Sequence, residues 1–249
     1  MAVYAGLSGT ICQFDSLQFN ATGGDGYSWS PATGLDNPNA AMPYASPDQT
    51  TEYVVTVSSG LCQNTDTVTV FVNPAPQVSF IADEVCFGEL TQFTDFSSIA
   101  TPDSITVWNW DLSNDTNPSI IYTAPGTYDI TLTLESSVAC NSTGTGTVTV
   151  NPSPTAAFAA NDTCLFGTTF LTDQSTVNSG SITNWSWNLG NGATSQQQNT
   201  SLTYFEDSIY QVTLAVTATG GCTDTITQPV EVFPLPNASI TAANVCFGE

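Results

Sequence analysis

Hydrophobic and polar residues alternate with a period of two over much of the chain. Clear examples are the runs 65–72, 128–134 and 210–216, where one face is apolar and the other is rich in Thr. β-Branched and aromatic residues in such a pattern are typical of half-buried antiparallel strands. No segment shows a convincing helical period. We therefore predict an all-β fold of short strands separated by Gly, Pro, Asn and Asp turns.

Cysteines recur with a period near 80 residues, which indicates tandem domains. The seven cysteines stand at positions 12, 62, 86, 140, 164, 222 and 246. The last of them opens the run Cys246-Phe247-Gly248-Glu249, which repeats Cys86-Phe87-Gly88-Glu89. A chain of 249 residues is long enough for two or three domains of ordinary size.

Prolines mark the junctions between the repeats. Each junction is a Pro-x-Pro that follows an alternating run, at Pro74-Ala75-Pro76, Pro152-Ser153-Pro154 and Pro234-Leu235-Pro236. We predict modules at 1–73, 74–151 and 152–233, and the start of a truncated fourth at 234–249. Because proline favours extended backbone before it, these junctions predict semi-rigid spacers and a stiff, slightly articulated rod.

The spacing of the cysteines suggests one disulfide in each complete module. We expect the pairs Cys12 with Cys62, Cys86 with Cys140, and Cys164 with Cys222, with Cys246 left unpaired by truncation. Each bridge would tie an early connection to the last hairpin of its own sandwich. Zinc is disfavoured because there is no Cys-x-x-Cys and no His. Disulfides indicate an oxidising, extracytoplasmic compartment.

The charge pattern excludes several classes of protein. There are 22 acidic residues and no Lys, Arg or His. Nucleic-acid binding needs basic side chains that replace phosphate counterions, so it is excluded, and direct membrane insertion is not expected. An enzyme would lack an imidazole base, a Schiff-base amine and a side-chain cation. The acidic residues show no convergent pair for a two-carboxylate glycosidase, so we expect no catalytic residues.

Calcium is the metal that the available ligands would suit, because only hard oxygen donors are present. The densest candidate group is Asp103, Asp111 and Asp115. No Asp-x-Asp-x-Asp-Gly loop occurs, however, and surface turns routinely carry Asp for backbone capping. We therefore expect no cofactor and no metal site, with calcium kept as an alternative.

Aromatic residues recur as pairs two positions apart in the middle of each repeat. Within a strand, residues i and i+2 face the same side of the sheet, so we expect these residues in the cores: Tyr27, Trp29, Trp108, Trp110, Trp185 and Trp187. An exposed pair could instead stack on sugar rings, which keeps open a carbohydrate-binding role for Trp108 and Trp185.

The second and third repeats resemble PKD domains, the immunoglobulin-like sandwiches of many surface proteins. The resemblance is carried by the run from Trp108 to Asp115, by Trp185 to Gly192, and by Tyr122 to Leu132, which contains Pro125-Gly126. The first repeat departs further and resembles a related immunoglobulin-like repeat. The resemblance implies tandem PKD-type, immunoglobulin-like β-sandwich modules in a rod-like array.

The array as a whole resembles the long repetitive surface adhesins of Bacteroidota that the type IX secretion system exports. This resemblance implies an extracellular, cell-surface protein, with export signal and anchor elsewhere in a longer chain. We predict a structural or adhesive segment that attaches to other cells, surface glycans or proteins, or builds a homo-oligomeric filament of identical chains. The alternative is a carbohydrate-binding accessory module of a secreted hydrolase.

Overall fold

The predicted all-β fold is confirmed by a computed structural model, which describes residues 2–241. The chain forms tandem sandwiches built from three successive groups of strands. It divides into two compact units. One contains residues up to 83 together with 92–120 and 128–148, and the other contains 84–91, 121–127 and the residues from 149 onward. The described residues contain no helix that is long and apolar enough to span a bilayer.

The first sandwich has a four-stranded sheet facing a short strand pair. Its large sheet has the order β1-β6-β5-β3, with β1 parallel to β6, and its small sheet pairs β2 with β4. The bounds are β1 (Gly9–Cys12), β2 (Leu17–Gln18), β3 (Gly26–Ser30), β4 (Tyr44–Ala45), β5 (Thr51–Ser59) and β6 (Cys62–Asn73). Phe19 packs between the sheets against Trp29, at a ring-centroid distance of 4.8 Å, and against Tyr53, at 5.3 Å.

The second sandwich repeats this plan, with a third strand in its smaller sheet. One sheet has the order β10-β12-β13, and the end of β13 pairs in parallel with β8, while the other sheet has the order β11-β9-β7. The bounds are β7 (Phe80–Ala82), β8 (Val85–Cys86), β9 (Thr91–Asp95), β10 (Ile105–Trp110), β11 (Ser119–Ile120), β12 (Gly126–Ser136) and β13 (Asn141–Asn151).

The third sandwich has a five-stranded sheet of order β16-β23-β22-β19-β20, a three-stranded sheet of order β15-β17-β21, and the pair β14-β18. Again the short strand β16 is parallel to the last strand, β23. The bounds are β14 (Pro154–Thr155), β15 (Phe158–Ala160), β16 (Thr163–Cys164), β17 (Thr168–Asp173), β18 (Thr176–Val177), β19 (Ile182–Asn188), β20 (Thr194–Ser195), β21 (Thr200–Thr203), β22 (Ile209–Ala218) and β23 (Thr223–Phe233).

The last strand of each sandwich ends at the residue before a junction proline: Asn73, Asn151 and Phe233. A proline cannot donate to the ladder, which explains why pairing stops there. The predicted fourth module falls largely on residues 242–249, including Cys246, which lie outside the described residues.

The two members of each aromatic pair are buried to different extents. Trp29, Trp110 and Trp187, the second member of each pair, are buried in their cores. The first members, Tyr27, Trp108 and Trp185, are only partly buried. The alternating pattern thus places one ring of each pair at the centre and the other near the margin of the same sheet face.

Candidate functional site at the joints between sandwiches

The leading cysteine of each repeat stands at the end of the short parallel strand. Cys12 is paired with Asn73, Cys86 with Asn151 and Cys164 with Phe233, so each lies beside the final residue of its sandwich. We call these three residues the loop cysteines. Each loop cysteine therefore lies at the end of its sandwich where the last strand finishes and the chain continues toward the next residues.

A tight turn fixes each loop cysteine. In all three repeats the carbonyl of the cysteine accepts a backbone N–H from three residues later, at 2.8–3.0 Å. The residue two positions after the cysteine has a positive φ, at Phe14 (75°), Gly88 (95°) and Phe166 (65°). This repeated turn gives the three thiol groups the same backbone setting.

The second cysteine of each repeat lies where the chain turns between its two longest strands. Cys62 opens β6, whereas Cys140 and Cys222 immediately precede β13 and β23. The carbonyl groups of Cys140 and Cys222 accept hydrogen bonds from Ser136 and Ala218, at 2.9 and 2.8 Å. We call Cys62, Cys140 and Cys222 the hairpin cysteines.

The structure joins each loop cysteine to the hairpin cysteine of the next sandwich. Cys12 is bonded to Cys140, with their Cα atoms 5.5 Å apart, and Cys86 is bonded to Cys222, with 5.7 Å between Cα atoms. Cys62 and Cys164 are free and exposed. The three predicted pairs, Cys12 with Cys62, Cys86 with Cys140 and Cys164 with Cys222, are therefore wrong.

The predicted pairs cannot form because the last strand of each sandwich is long and separates its two cysteines. In the first sandwich, Cys12 is paired with Asn73 at one end of β6, and Cys62 is at the other end. At about 3.3 Å per residue, the ends of this strand are about 36 Å apart. A disulfide needs Cα atoms within about 7 Å. The same geometry separates the two cysteines of the second and third sandwiches.

At the first joint, the bridge lies among polar loop residues. The backbone N–H of Gln13, next to Cys12, donates to the carbonyl of Asn73 at 2.8 Å. Gln13, Asn73 and Pro74 line one surface depression together with the loop 100–103, which precedes β10 of the second sandwich. The first sandwich and this loop of the second belong to the same compact unit.

At the second joint, the hairpin of the third sandwich is seated on the linker. Ser153 donates its hydroxyl to the carbonyl of Phe87 at 2.9 Å, and the Sγ atom of Cys222 lies 3.9 Å from the carbonyl oxygen of Asn151. Gly220 has a φ of +93°, and a Cβ added there would clash with the side chain of Asn151. This close approach requires glycine.

Two tryptophans that the sequence assigns to the core make a hydrogen bond that the sequence did not reveal. The indole N–H of Trp108 donates to Asp95, and that of Trp185 donates to Asp173, both at 2.7 Å. Each carboxylate also accepts the backbone N–H of a serine two residues later, Ser97 or Ser175. The repeated Asp-x-Ser, 13 residues before Trp108 and 12 before Trp185, is the signal that could have identified these carboxylates.

These hydrogen bonds bear on the carbohydrate alternative. Trp108 and Trp185 are partly buried, and their single N–H donors are already used within the protein. The ring of Trp108 lines a surface depression with Val107, Asn109 and Asn114. The fixed indole groups favour a structural role, and sugar binding stays a prediction.

Asp173 is held in its charged form. Burial raises the pKa of its carboxyl group, but hydrogen bonds from Ser175, Trp185 and Gln198 outweigh this effect, so the pKa lies below its usual value. A carboxylate whose folded pKa is below its unfolded pKa stabilises the fold above the unfolded pKa. That contribution is lost as the pH falls through the folded value.

We therefore expect Asp173→Asn to make the free energy of unfolding of the third sandwich depend less on pH in the acid range. The parent chain should lose stability as the pH falls below about 4, near the unfolded pKa of Asp, and the variant should lose less. The measurement is amide hydrogen exchange of β22 between neutral and acid pH. Asp162→Asn, which removes an exposed charge from the same sandwich, is the control. If Asp173→Asn lost as much stability at acid pH as the parent chain, the lowered pKa of Asp173 would be contradicted.

The calcium candidates are not brought into one group. Asp111 accepts the backbone N–H of Thr131 at 3.2 Å, Asp115 accepts the hydroxyl of Ser113 at 2.8 Å, and Asp103 lies 3.4 Å from the hydroxyl of Ser137. Across residues 2–241 there is no group of three or more acidic, His or Cys side chains that could hold a metal ion. Each carboxylate instead caps local backbone or hydroxyl groups.

Comparison with known proteins assigns the third sandwich. Residues 151–233 match the PKD domain family. The PKD1 domain of the Vibrio cholerae metalloprotease PrtV is 31% identical over 32% of this chain and 98% of its own, with a TM-score of 0.31. The PKD1 domain of Vibrio anguillarum Epp is 28% identical over 33% of this chain and 96% of its own, with a TM-score of 0.32. No curated protein matches the sequence significantly.

The fold of the whole chain is shared with immunoglobulin arrays. The eight N-terminal Ig domains of Down Syndrome Cell Adhesion Molecule align with 94% of this chain and 36% of that chain, at 10% identity and a TM-score of 0.54. The chain thus spans about a third of that structure. The chain is a tandem array of immunoglobulin-like sandwiches, of which the third is a PKD domain. Disulfide-bearing modules of these kinds are typical of extracellular proteins and are typically not catalytic.

Proposed function

We propose that this chain is a structural or adhesive repeat segment of a long extracellular surface protein, whose consecutive modules are locked together by disulfides. The observation that supports this most directly is the pairing of Cys12 with Cys140 and of Cys86 with Cys222. A bridge between modules holds a joint closed, whereas a bridge within a module would only stabilise that module. A protein that must hold its shape under load would benefit from closed joints.

The stabilisation expected from each bridge is large relative to the stability of a small sandwich. The two bridges close loops with sequence separations of 128 and 136 residues. The chain-entropy model values each loop at about 5 kcal/mol, which is comparable to the whole stability of a small domain. With no Lys, Arg or His in the chain, no side-chain salt bridge can hold two modules together. Covalent bonds, the proline junctions, hydrogen bonds and close packing are the means that remain.

The segment would present its modules at the cell surface, as in the repetitive adhesins of Bacteroidota that the type IX secretion system exports. Other cells, surface glycans or surface proteins would be its targets, and identical chains could associate into a filament. The polar, uniformly acidic composition suits a solvated spacer, because like charges keep chains apart. A segment of this kind would carry no catalytic residues.

Disulfide mapping of the oxidised chain tests this proposal. Trypsin has no site in a chain without Lys or Arg, so a protease specific for acidic residues is needed. We expect non-reducing mass spectrometry to find the linked peptides Cys12–Cys140 and Cys86–Cys222. Alkylation before reduction should label Cys62 and Cys164. Linked peptides that join two cysteines of one module, such as Cys12–Cys62, would overturn the proposal.

A further inference from the structure

The outer edge of β10, in the second sandwich, has no partner strand in the described part of the chain. The sheet has the order β10-β12-β13-β8, so β10 pairs with β12 on one side only. In the third sandwich the corresponding strand, β19, carries β20 on its outer side, opposite Trp187 and Asn188. This edge of the fold therefore accepts an added antiparallel strand, and in the second sandwich the position is open.

The backbone of Trp108 presents hydrogen-bonding groups along this edge. The N–H of Asp111, just after β10, donates to the carbonyl of Thr131 in β12 at 3.1 Å. In an antiparallel pair, residues bonded to the partner strand alternate with residues whose N–H and C=O point away from it. Trp108 and Trp110 therefore face outward. The N–H of Trp110 is used by a tight turn, because it donates to the carbonyl of Ser113 at 2.9 Å. Among the residues that the structure describes, the outward N–H and C=O of Trp108 have no partner.

The sequence of β10 lacks the features that usually protect an exposed edge. Its residues, Ile105–Trp110, include no charged side chain and no proline, which are common means of preventing strand addition. A bulge between Ile105 and Val107 distorts only the start of the strand. Val107 is 43% exposed. A surface depression lies against the strand and is lined by Thr106, Val107, Trp108, Asn109 and Asn114.

Carboxylates lie at both ends of this uncharged strand. Asp103 lies two residues before β10, Asp111 follows it directly, and Asp115 is exposed in the loop beyond. The chain has no Lys, Arg or His, so none of its own side chains can neutralise them. A second copy of β10 would bring further carboxylates to the same edge, and like charges across a strand pair are destabilising. A basic residue near each end of the added strand is complementary.

We propose that the outer edge of β10 binds an extended segment of another protein as an added antiparallel strand, with β-branched residues at its centre and Lys or Arg near its ends. The backbone of Trp108 gives this segment one donor and one acceptor, and the flanking carboxylates attract its ends. This inference rests on the proposed function, because it gives the adhesive segment a class of surface-protein partner.

Titration of the oxidised chain with a synthetic peptide tests the inference. The peptide has about six residues of alternating Thr and Val and a Lys at each end, and its termini are blocked so that only side chains carry charge. One control peptide has Glu in place of each Lys. A second control is N-methylated at the backbone amides along one edge, which removes the donors for strand pairing. NMR titration and amide hydrogen exchange measure the binding.

We expect the Lys peptide to protect the amide of Trp108 from exchange, whereas the amide of Asn109, which faces β12, should change little. The Glu peptide should bind about tenfold more weakly, because attractions at both ends become repulsions. The N-methylated peptide should not protect Trp108. Binding without protection of Trp108, no binding, or equal binding of the Lys and Glu peptides would overturn the inference. Protection of Trp108 that rises with chain concentration alone would also overturn it, in favour of a second copy.

A Lys on the strand itself gives a matched test. Val107→Lys adds the kind of charge that protects natural edges and should weaken binding of the Lys peptide about tenfold. Asn184→Lys is the control, because Asn184 is exposed at the corresponding position of β19, and it should leave binding unchanged. The reverse result would place the peptide on the third sandwich and overturn the inference.

Exchange of the β12 amides shows whether Val107→Lys is folded. Asn114→Lys, in the exposed loop that lines the depression, is a second variant that leaves β10 itself unchanged and should weaken binding in the same direction. If the Lys peptide does not bind while disulfide mapping finds Cys12–Cys140 and Cys86–Cys222, only this inference is wrong and the proposed function stands.

Discussion

Removing either inter-module bridge alone is expected to increase the extensible length of the chain only modestly, whereas removing both should lengthen it several times more. The two bridges overlap, because Cys86 lies between Cys12 and Cys140 in sequence. With both bridges present, the shortest covalent path from Cys12 to Cys222 runs through both bridges and the roughly 54 residues between Cys86 and Cys140. Without bridges the path is about 210 residues, so full loss should add about 550 Å at about 3.5 Å per residue.

The measurement is single-molecule extension of the chain, held by tags at both ends, in oxidising buffer. The variants are Cys12→Ser with Cys140→Ser, Cys86→Ser with Cys222→Ser, and all four together. The two double variants should extend about 70 Å and about 100 Å beyond the parent, respectively, because the remaining bridge still leaves a covalent path of only about 74 or about 82 residues. The fourfold variant should match the parent in reductant.

The opposite pattern would contradict this arrangement. If each module closed its own bridge, each double variant would break two bridges and release about 104 or about 112 residues, or roughly 365 or 390 Å. Lengthening of several hundred ångströms in each double variant would therefore show within-module pairing in solution. The parent in reductant controls for unfolding of the sandwiches themselves, because its sequence is unchanged.

The sequence was sufficient for the fold and for four of the six cysteines expected to form bridges, but not for their pairing. Two cysteines per period of about 80 residues allow pairing within a repeat or with the next repeat, and the spacing suits both. The choice depends on β1, β8 and β16, which place the loop cysteines beside the far end of the last strand. Two of these strands have only two residues, which is too short for a periodic pattern to reveal their partner.

The tryptophan pairs show a similar limit. Alternation places Trp185 and Trp187 on one face, and both do contact the core of the third sandwich. Their different depths depend on the second sheet, because Asp173 at the end of β17 takes the indole N–H of Trp185. Asp173 and Trp185 are 12 residues apart and belong to different sheets, so the alternation within either strand does not predict their contact. The repeated Asp-x-Ser was the available clue.

The core of the third sandwich should be most sensitive at Trp187. This side chain is 1% exposed, packs edge-on to Phe158 at a centroid distance of 5.2 Å, and donates its indole N–H to the carbonyl of Gln197 at 2.8 Å. We expect Trp187→Ala to lower the stability of this sandwich by about 3–5 kcal/mol, because it creates a large cavity and removes the hydrogen bond to the carbonyl of Gln197.

Amide hydrogen exchange of β22 and β23 is the suitable measurement, because a cross-linked array need not unfold in one transition. Ser186→Ala is the matched control, since Ser186 is the neighbouring residue and is exposed on the opposite face of β19; it should change stability by no more than about 0.5 kcal/mol. Protection in the first sandwich should be nearly unaffected by Trp187→Ala, because its core around Phe19 is separate. A loss of protection as large in the first sandwich as in the third would mean that the modules unfold as one body, and would contradict the picture of separate cores held together by bridges.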